Sequence, residues 1–165
     1  FHNIDSQRHE KKLWGVFPHQ CVSDATGILF GFADTFDMPV SRWKGPRLED
    51  LEACKAVEIV ATSREVGPNL LVEKGESGAM LFQRRLYLLG HPEYDTETLQ
   101  AEYDRDKARD GGGVMPVHYF TDDDPDKPIR NLWRPTAHIY TNWLQSVYGA
   151  TPYNLEDIPA PFAAG

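Results

Sequence analysis

The sequence predicts an α/β fold in which short strands lead into two amphipathic helices. Apolar bursts four or five residues long recur between polar turns in the first half of the chain, as strands do. Two stretches in the second half carry helix start and stop signals. One apolar run, Leu86 to Leu89, feeds directly into the first of those helices. The 165 residues show no internal repeat and no low-complexity linker, so residues 1–165 are read as a single unit.

Taken in order, Leu13 to Phe17 and Ile28 to Phe32 have the length and aromatic content of buried strands, with Pro18 marking the end of the first. The charged stretch from Arg42 to Glu52 reads as loop plus short helix. Val57 to Ala61, Asn69 to Glu73 and Ala79 to Gln83 follow as strands, the last two joined by a hairpin over Lys74 to Gly78. Arg84-Arg85 marks another tight turn before the run Leu86 to Leu89, and Pro92 stops further pairing. The first helix is expected from Asp95 as N-cap to Asp110, with Leu99, Tyr103 and Ala108 inward and the glycines Gly111 to Gly113 ending it. The second runs from Thr136 to Tyr148, with Ile139, Trp143 and Leu144 on one side. Between them, Thr121 to Pro128 is an acidic loop, and the tail beyond Tyr153 is expected to be extended.

Composition narrows the function classes. A net charge of -8 disfavours nucleic acid, whose phosphates call for clustered cations. The longest apolar runs are too short for a bilayer span, so no membrane is expected. No charged-then-apolar leader opens the sequence, and the two cysteines, Cys21 and Cys54, fit a reducing compartment; a cytoplasmic protein is expected.

Gly90-His91-Pro92-Glu93-Tyr94-Asp95 is the most informative stretch. A strand delivers a His and a Glu, two residues apart, to the point where the chain turns toward a helix, and ligands of open α/β sheets sit at the carboxyl ends of strands. An imidazole beside a carboxylate makes a general base whose tautomer and orientation the partner fixes. A surface turn whose histidine merely packs fits the same spacing, and the residues alone leave both open. Asp122, Asp123, Asp124 and Asp126 lack the ligand periodicity of a calcium loop and read as a solvated turn. His2, His9, His19, His118 and His138 show no metal-ligand spacing, so no metal is expected. Cys21 and Cys54 read as small buried thiols, Lys11, Lys12 and Arg42 in isolation as solvated cations, and the four tryptophans as core or interface aromatics.

Several ordered motifs cover nearly the whole chain: Lys12 to Phe17 (KLWGVF), Gly31 to Phe36 (GFADTF), Pro39 to Arg42 (PVSR), Gly90 to Asp95 (GHPEYD), Glu102 to Asp106 (EYDRD), Thr141 to Leu144 (TNWL) and Thr151 to Leu155 (TPYNL). In this order they resemble the homoserine O-acyltransferase family, of the homoserine O-succinyltransferase type. The resemblance implies the C-terminal portion of the sheet in a flavodoxin-like (class I glutamine amidotransferase-like) three-layer sandwich. It implies a ping-pong reaction of methionine biosynthesis, in which a cysteine takes a succinyl or acetyl group from acyl-CoA and passes it to the hydroxyl of L-homoserine. Acyl-CoA is then a co-substrate, and no cofactor is implied. The catalytic base carries over to His91 and its carboxylate partner to Glu93; substrate-binding positions carry over to Lys12, Ser41 and Arg105. An adjacent base raises the thiolate fraction of the cysteine, and an Arg can hold a carboxylate through two hydrogen bonds.

Two departures stand out. Val40 lies where the family usually has a His before the Ser, which makes serine an alternative acceptor. The family's nucleophilic cysteine lies in a strand-to-helix elbow upstream of the Lys12 motif, and neither Cys21 nor Cys54 matches it. The expectation is therefore a C-terminal half that folds stably only with its N-terminal segment, with Phe1 a cleavage or cloning boundary; a homodimer is one assembly the resemblance allows. A glutaminase-type class I amidotransferase subunit, with a Cys-His-Glu triad on a similar fold, and a non-catalytic amino-acid-binding module are the competing readings.

Overall fold

A computed structural model describes residues 2–23, 27–74, 85–110 and 113–157. Five strands form one sheet: β1 (Ser6–Cys21), β2 (Thr35–Pro46), β3 (Val57–Ser63), β4 (Gly67–Glu73) and β5 (Leu86–Leu88), in the order β2-β1-β3-β4-β5. Every described pair is antiparallel. The long ladder from Gln20↔Thr35 to Ser6↔Pro46 shifts register between Arg8 and Leu13, whereas β1 meets β3 only through Gln20 and Cys21, so the sheet curls. Three α-helices join it: α1 (Leu48–Ala53), α2 (Thr98–Asp110) and α3 (His138–Ala150).

The burst Leu13 to Phe17 lies in β1 because the sheet is covered there on both faces. Trp14 and Val16 pack with Leu99, Tyr119, Phe120 and Trp133, while Phe17 turns the other way onto Val40 and Val66. A second edge contact crosses Gly15, where Val16 N donates to Val117 O at 2.8 Å and Val117 N donates to Trp14 O at 3.2 Å. A β-carbon on Gly15 would stand 2.1 Å from the Val117 carbonyl oxygen, so only glycine admits this approach. Pro18 does not end the strand, as β1 continues to Cys21. Cys21 N points to Asp34 O and Val16 N to Val117 O, so by alternation the Pro18 nitrogen faces away from β2 and interrupts no bond of that ladder.

Ile28 to Phe32 is a turn rather than a strand. Phe30 N donates to Gly27 O and Phe32 N to Leu29 O, and Gly27 and Gly31 hold positive φ values of 64° and 84°. Its apolar content is explained by Ile28, which is fully buried among Met38, Val60, Leu70 and Ile139, and by Leu29 and Phe32, which pack half-buried on the same cluster. Arg42 to Pro46 belongs to β2, and only α1 fits the loop-plus-helix expectation. The strands expected at 57–61, 69–73 and 86–89 are present as β3, β4 and β5. The strand Ala79 to Gln83, most of the hairpin Lys74 to Gly78, Arg84, Gly111, Gly112 and the tail from Ile158 onward lie outside the described residues.

Asp95 is not the cap of α2. The helix begins at Thr98 after a turn, and the Asp95 carboxylate is engaged by Arg134. Leu99 is buried and Tyr103 half-buried, but Ala108 is exposed. On α3, Ile139 is buried and Trp143 packs half-buried against the same core, as the apolar pattern predicts, but Leu144 is 57% exposed and Asn142 is buried in its stead. Trp14 and Trp133 are core residues, whereas Trp43 is largely exposed under Arg8. Thr121 to Pro128 forms a compact loop closed by Thr121 N to Pro128 O, with a 3-10 turn over Thr121–Asp123. No helix among the described residues is long and apolar enough to cross a membrane.

Candidate active site

Beyond β5 the chain passes Gly90 and reaches His91, whose N–H donates to Pro39 O at 2.8 Å. That bond docks the turn against β2, and a side chain at Gly90 would collide with Met38 and the Pro39 carbonyl. His91 Nδ1 and Glu93 Oε1 lie 2.8 Å apart. A carboxylate accepts only, so Nδ1 carries a proton, and in the neutral tautomer Nε2 presents the lone pair. The other carboxylate oxygen, Oε2, receives the Tyr140 hydroxyl at 3.1 Å, from α3. The His91 side chain is 31% exposed and that of Glu93 50%, so a ligand reaches the pair.

Lys12, Ser41 and Arg105, far apart in the chain, meet around Glu102. Lys12 Nζ and Ser41 Oγ both donate to Glu102 Oε2, at 3.1 Å and 2.9 Å, and the Tyr94 hydroxyl donates to Oε1 at 2.7 Å. Arg105 Nη2 stands 4.0 Å from Glu102 Oε2 and also pairs with Asp106, which draws Lys12 to 3.7 Å as well. Burial works against the Glu102 charge, but the bonds from Tyr94, Ser41 and Lys12 outweigh it and hold the carboxyl below its usual range. The Lys12 ammonium lies over the Trp14 ring at 4.1 Å, which keeps its stem against the core. A groove of ≈ 580 Å³, lined in part by Lys12, Trp14, Asp106 and Arg109, opens on this side of the cluster.

The two groups touch through Tyr94, whose ring stacks on the His91 imidazole with centroids 4.3 Å apart and planes 18° from parallel. Glu102, Tyr94 and Tyr140 escaped sequence reasoning as individual site residues. Glu102 had a usable signal: it shares a helix face with Arg105 and Asp106, three and four positions on. Arg42, expected to be solvated, is instead held by Asn69 Oδ1 at 2.6 Å and by the carbonyls of Val66 and Leu89 at 2.5 Å and 3.0 Å. The thiols are elsewhere: Cys21 donates to Ala33 O, with burial and then Asp34 pushing its titration upward, and Cys54 packs with Leu51, Val57 and Leu71. Both are half-buried rather than enclosed.

The family model for homoserine O-succinyltransferase matches residues 1–153. The chain belongs to that family. Curated relatives of this homoserine O-succinyltransferase family chain include proteins named homoserine O-acetyltransferase: one from Cereibacter sphaeroides is 39% identical over 96% of this chain, and one from Chelativorans sp. is 40% identical over 96%. The chain spans about half the length of the curated relatives it matches, 50% and 49% for these two. Among solved structures, a glutamine amidotransferase from Thermotoga maritima superposes with a TM-score of 0.52 at 15% identity, covering 89% of this chain and 54% of that one. A glutamine amido transferase from Methylobacillus flagellatus gives 0.53 at 10% identity, covering 88% and 57%. At such identities the likeness concerns the fold alone: most of this chain shares the α/β fold of those two glutamine amidotransferases.

Proposed function

We propose that this chain supplies the general base and the acceptor pocket of a homoserine O-acyltransferase that moves an acyl group from acyl-CoA to the hydroxyl of L-homoserine through a cysteine thioester, in methionine biosynthesis. The observation that carries the reading is the His91–Glu93 pair, 2.8 Å apart, with the far carboxylate oxygen held by Tyr140. The neutral imidazole takes the thiol proton at Nε2 while the sulfur attacks the acyl carbonyl, and coenzyme A leaves with a proton. It then takes the proton of the homoserine hydroxyl as that oxygen attacks the thioester, and returns it to the cysteine sulfur as that sulfur leaves. Glu93 keeps the ring oriented and stabilises the imidazolium of each step.

Lys12, Ser41 and Arg105 hold the acceptor: Arg105 faces its carboxylate, and the Glu102 carboxylate at the centre of the cluster faces its ammonium. The nucleophile is carried by the part of the full-length enzyme outside this chain, since neither Cys21 nor Cys54 joins the His91 cluster among the described residues. The names of the relatives favour acetyl-CoA as donor.

Intact-mass spectrometry of the full-length enzyme incubated with acyl-CoA alone tests the reading. An adduct of one acetyl group that disappears on adding homoserine, with O-acetylhomoserine formed, is expected; a succinyl adduct would correct the donor only. Release of glutamate from glutamine without acyl transfer would overturn the assignment in favour of a glutaminase.

A further inference from the structure

We infer that Tyr94 is a positioning residue that aligns the bound acceptor with the base, so that it serves the second half-reaction in particular. The inference rests on the ping-pong reading above. Tyr94 touches both halves of the site: its face lies on the His91 ring at 4.3 Å, and its hydroxyl reaches Glu102 Oε1 at 2.7 Å. Its own backbone is fixed from two sides, with Tyr94 N donating to His91 O at 3.2 Å and the Trp133 indole donating to Tyr94 O at 3.0 Å. Trp133 is fully buried. The tyrosine therefore acts as a strut between a rigid core and two movable side chains.

The strut separates two tasks. Stacking holds the imidazole plane for any proton transfer, to the thiol or to the alcohol. The hydroxyl engages only the acceptor side, bonding Glu102 and interacting with Ser41, while the other Glu102 oxygen is shared by Lys12 and Ser41. Burial, then the hydrogen bond and charge of Glu102, push the Tyr94 phenol well above its ordinary range, so the hydroxyl stays a donor at all working pH values. Taking acyl from acyl-CoA needs the base but not the acceptor pocket. Passing it to homoserine needs both, in register, because a small misplacement of the attacking oxygen costs far more rate than it costs binding.

Steady-state kinetics of the full-length enzyme separate the two, since in a ping-pong reaction kcat/KM for each substrate reports its own half-reaction. Tyr94→Phe keeps the stacked ring and removes the hydroxyl. It is expected to lower kcat/KM for homoserine by about ten- to a hundred-fold while leaving kcat/KM for acyl-CoA within about twofold. Tyr94→Leu, which removes the ring, is expected to lower both. An equal loss in both half-reactions for Tyr94→Phe, or no loss in either, overturns the inference. His91→Ala, measured alongside, isolates the underlying reading: if that variant keeps both half-reactions the base assignment has failed, whereas if it loses both while Tyr94→Phe is native-like only the role of Tyr94 has failed.

Discussion

The Arg42 guanidinium donates to the Leu89 carbonyl at 3.0 Å, fixing the chain two residues before His91. The same group holds Asn69 Oδ1 and the Val66 carbonyl, so β2, the β3–β4 connection with the start of β4, and the exit of β5 are pinned by one side chain. Burial lowers Arg42 to about 10, which leaves it charged at any physiological pH.

Replacing Arg42 by alanine strips these acceptors of their donor and leaves a void. Urea denaturation should show a loss of about 2–4 kcal/mol, with acyl transfer falling as the His91 turn loosens. An unchanged midpoint would remove Arg42 from the account.

Gly15→Ala tests the second edge of β1. The new β-carbon would meet the oxygen and nitrogen of Val117 at 2.1 Å and 2.6 Å, and φ at this position is +142°. Backbone must move, so a loss of about 2–4 kcal/mol is expected in the same assay. A variant as stable as the native protein would contradict the close approach.

The apolar bursts in β1, β3, β4 and β5 were legible because a strand covered on both faces needs an uninterrupted apolar run. Ile28 to Phe32 carries the same signal and is a turn, since a turn that buries Ile28 and packs Leu29 and Phe32 against the same core needs the same apolar residues as a strand. That turn also explains α3. Asn142 donates to the Ile28 and Phe30 carbonyls at 2.8 Å and 2.9 Å, so a polar residue is buried to satisfy the turn. Leu144, two residues on and about 200° round the helix, is thereby turned outward. In the site, His91 and Glu93 were readable from their adjacency and their place after a strand. Lys12, Ser41 and Arg105 were readable only through ordered motifs, because nothing local says that residues so far apart converge. Tyr140 reaches Glu93 from α3, far along the chain, and left no local trace.

Stability should fall in mild acid because of His19. Its Nδ1 donates to Phe17 O at 2.8 Å and its Nε2 accepts from Asn69 Nδ2 at 2.6 Å, which fixes a neutral ring. Burial, aided by the nearby Arg42 cation and opposed by the Phe17 bond, lowers it to about 4. An unfolded histidine titrates near ~6.5, so between those values the unfolded chain takes a proton the folded one refuses. Stability from this group is full above ~6.5 and lost as pH falls towards 4, by about 2–4 kcal/mol. His19→Gln keeps a donor and an acceptor but does not titrate; denaturation curves between about pH 7 and pH 4.5 should show a shallower decline than the native protein. Equal slopes would place the acid sensitivity elsewhere.

Tyr140→Phe releases one oxygen of Glu93. Burial and then the Glu93 charge push the Tyr140 phenol up to about 12, so it is a donor throughout the working range. In the full-length enzyme, loss of that bond should cut kcat/KM for both substrates by about three- to ten-fold, because in the proposed reaction orientation of the base serves both half-reactions. Loss confined to homoserine would mean that Tyr140 acts on the acceptor pocket.

The central claim is that His91, oriented by Glu93, is the base of the acyl transfer. Its most direct test is kcat/KM for homoserine in the full-length His91→Ala enzyme, with an unchanged circular dichroism spectrum and melting curve. A fall of about a hundred- to ten-thousand-fold is predicted. A folded variant turning over within about threefold of the native enzyme would contradict the claim.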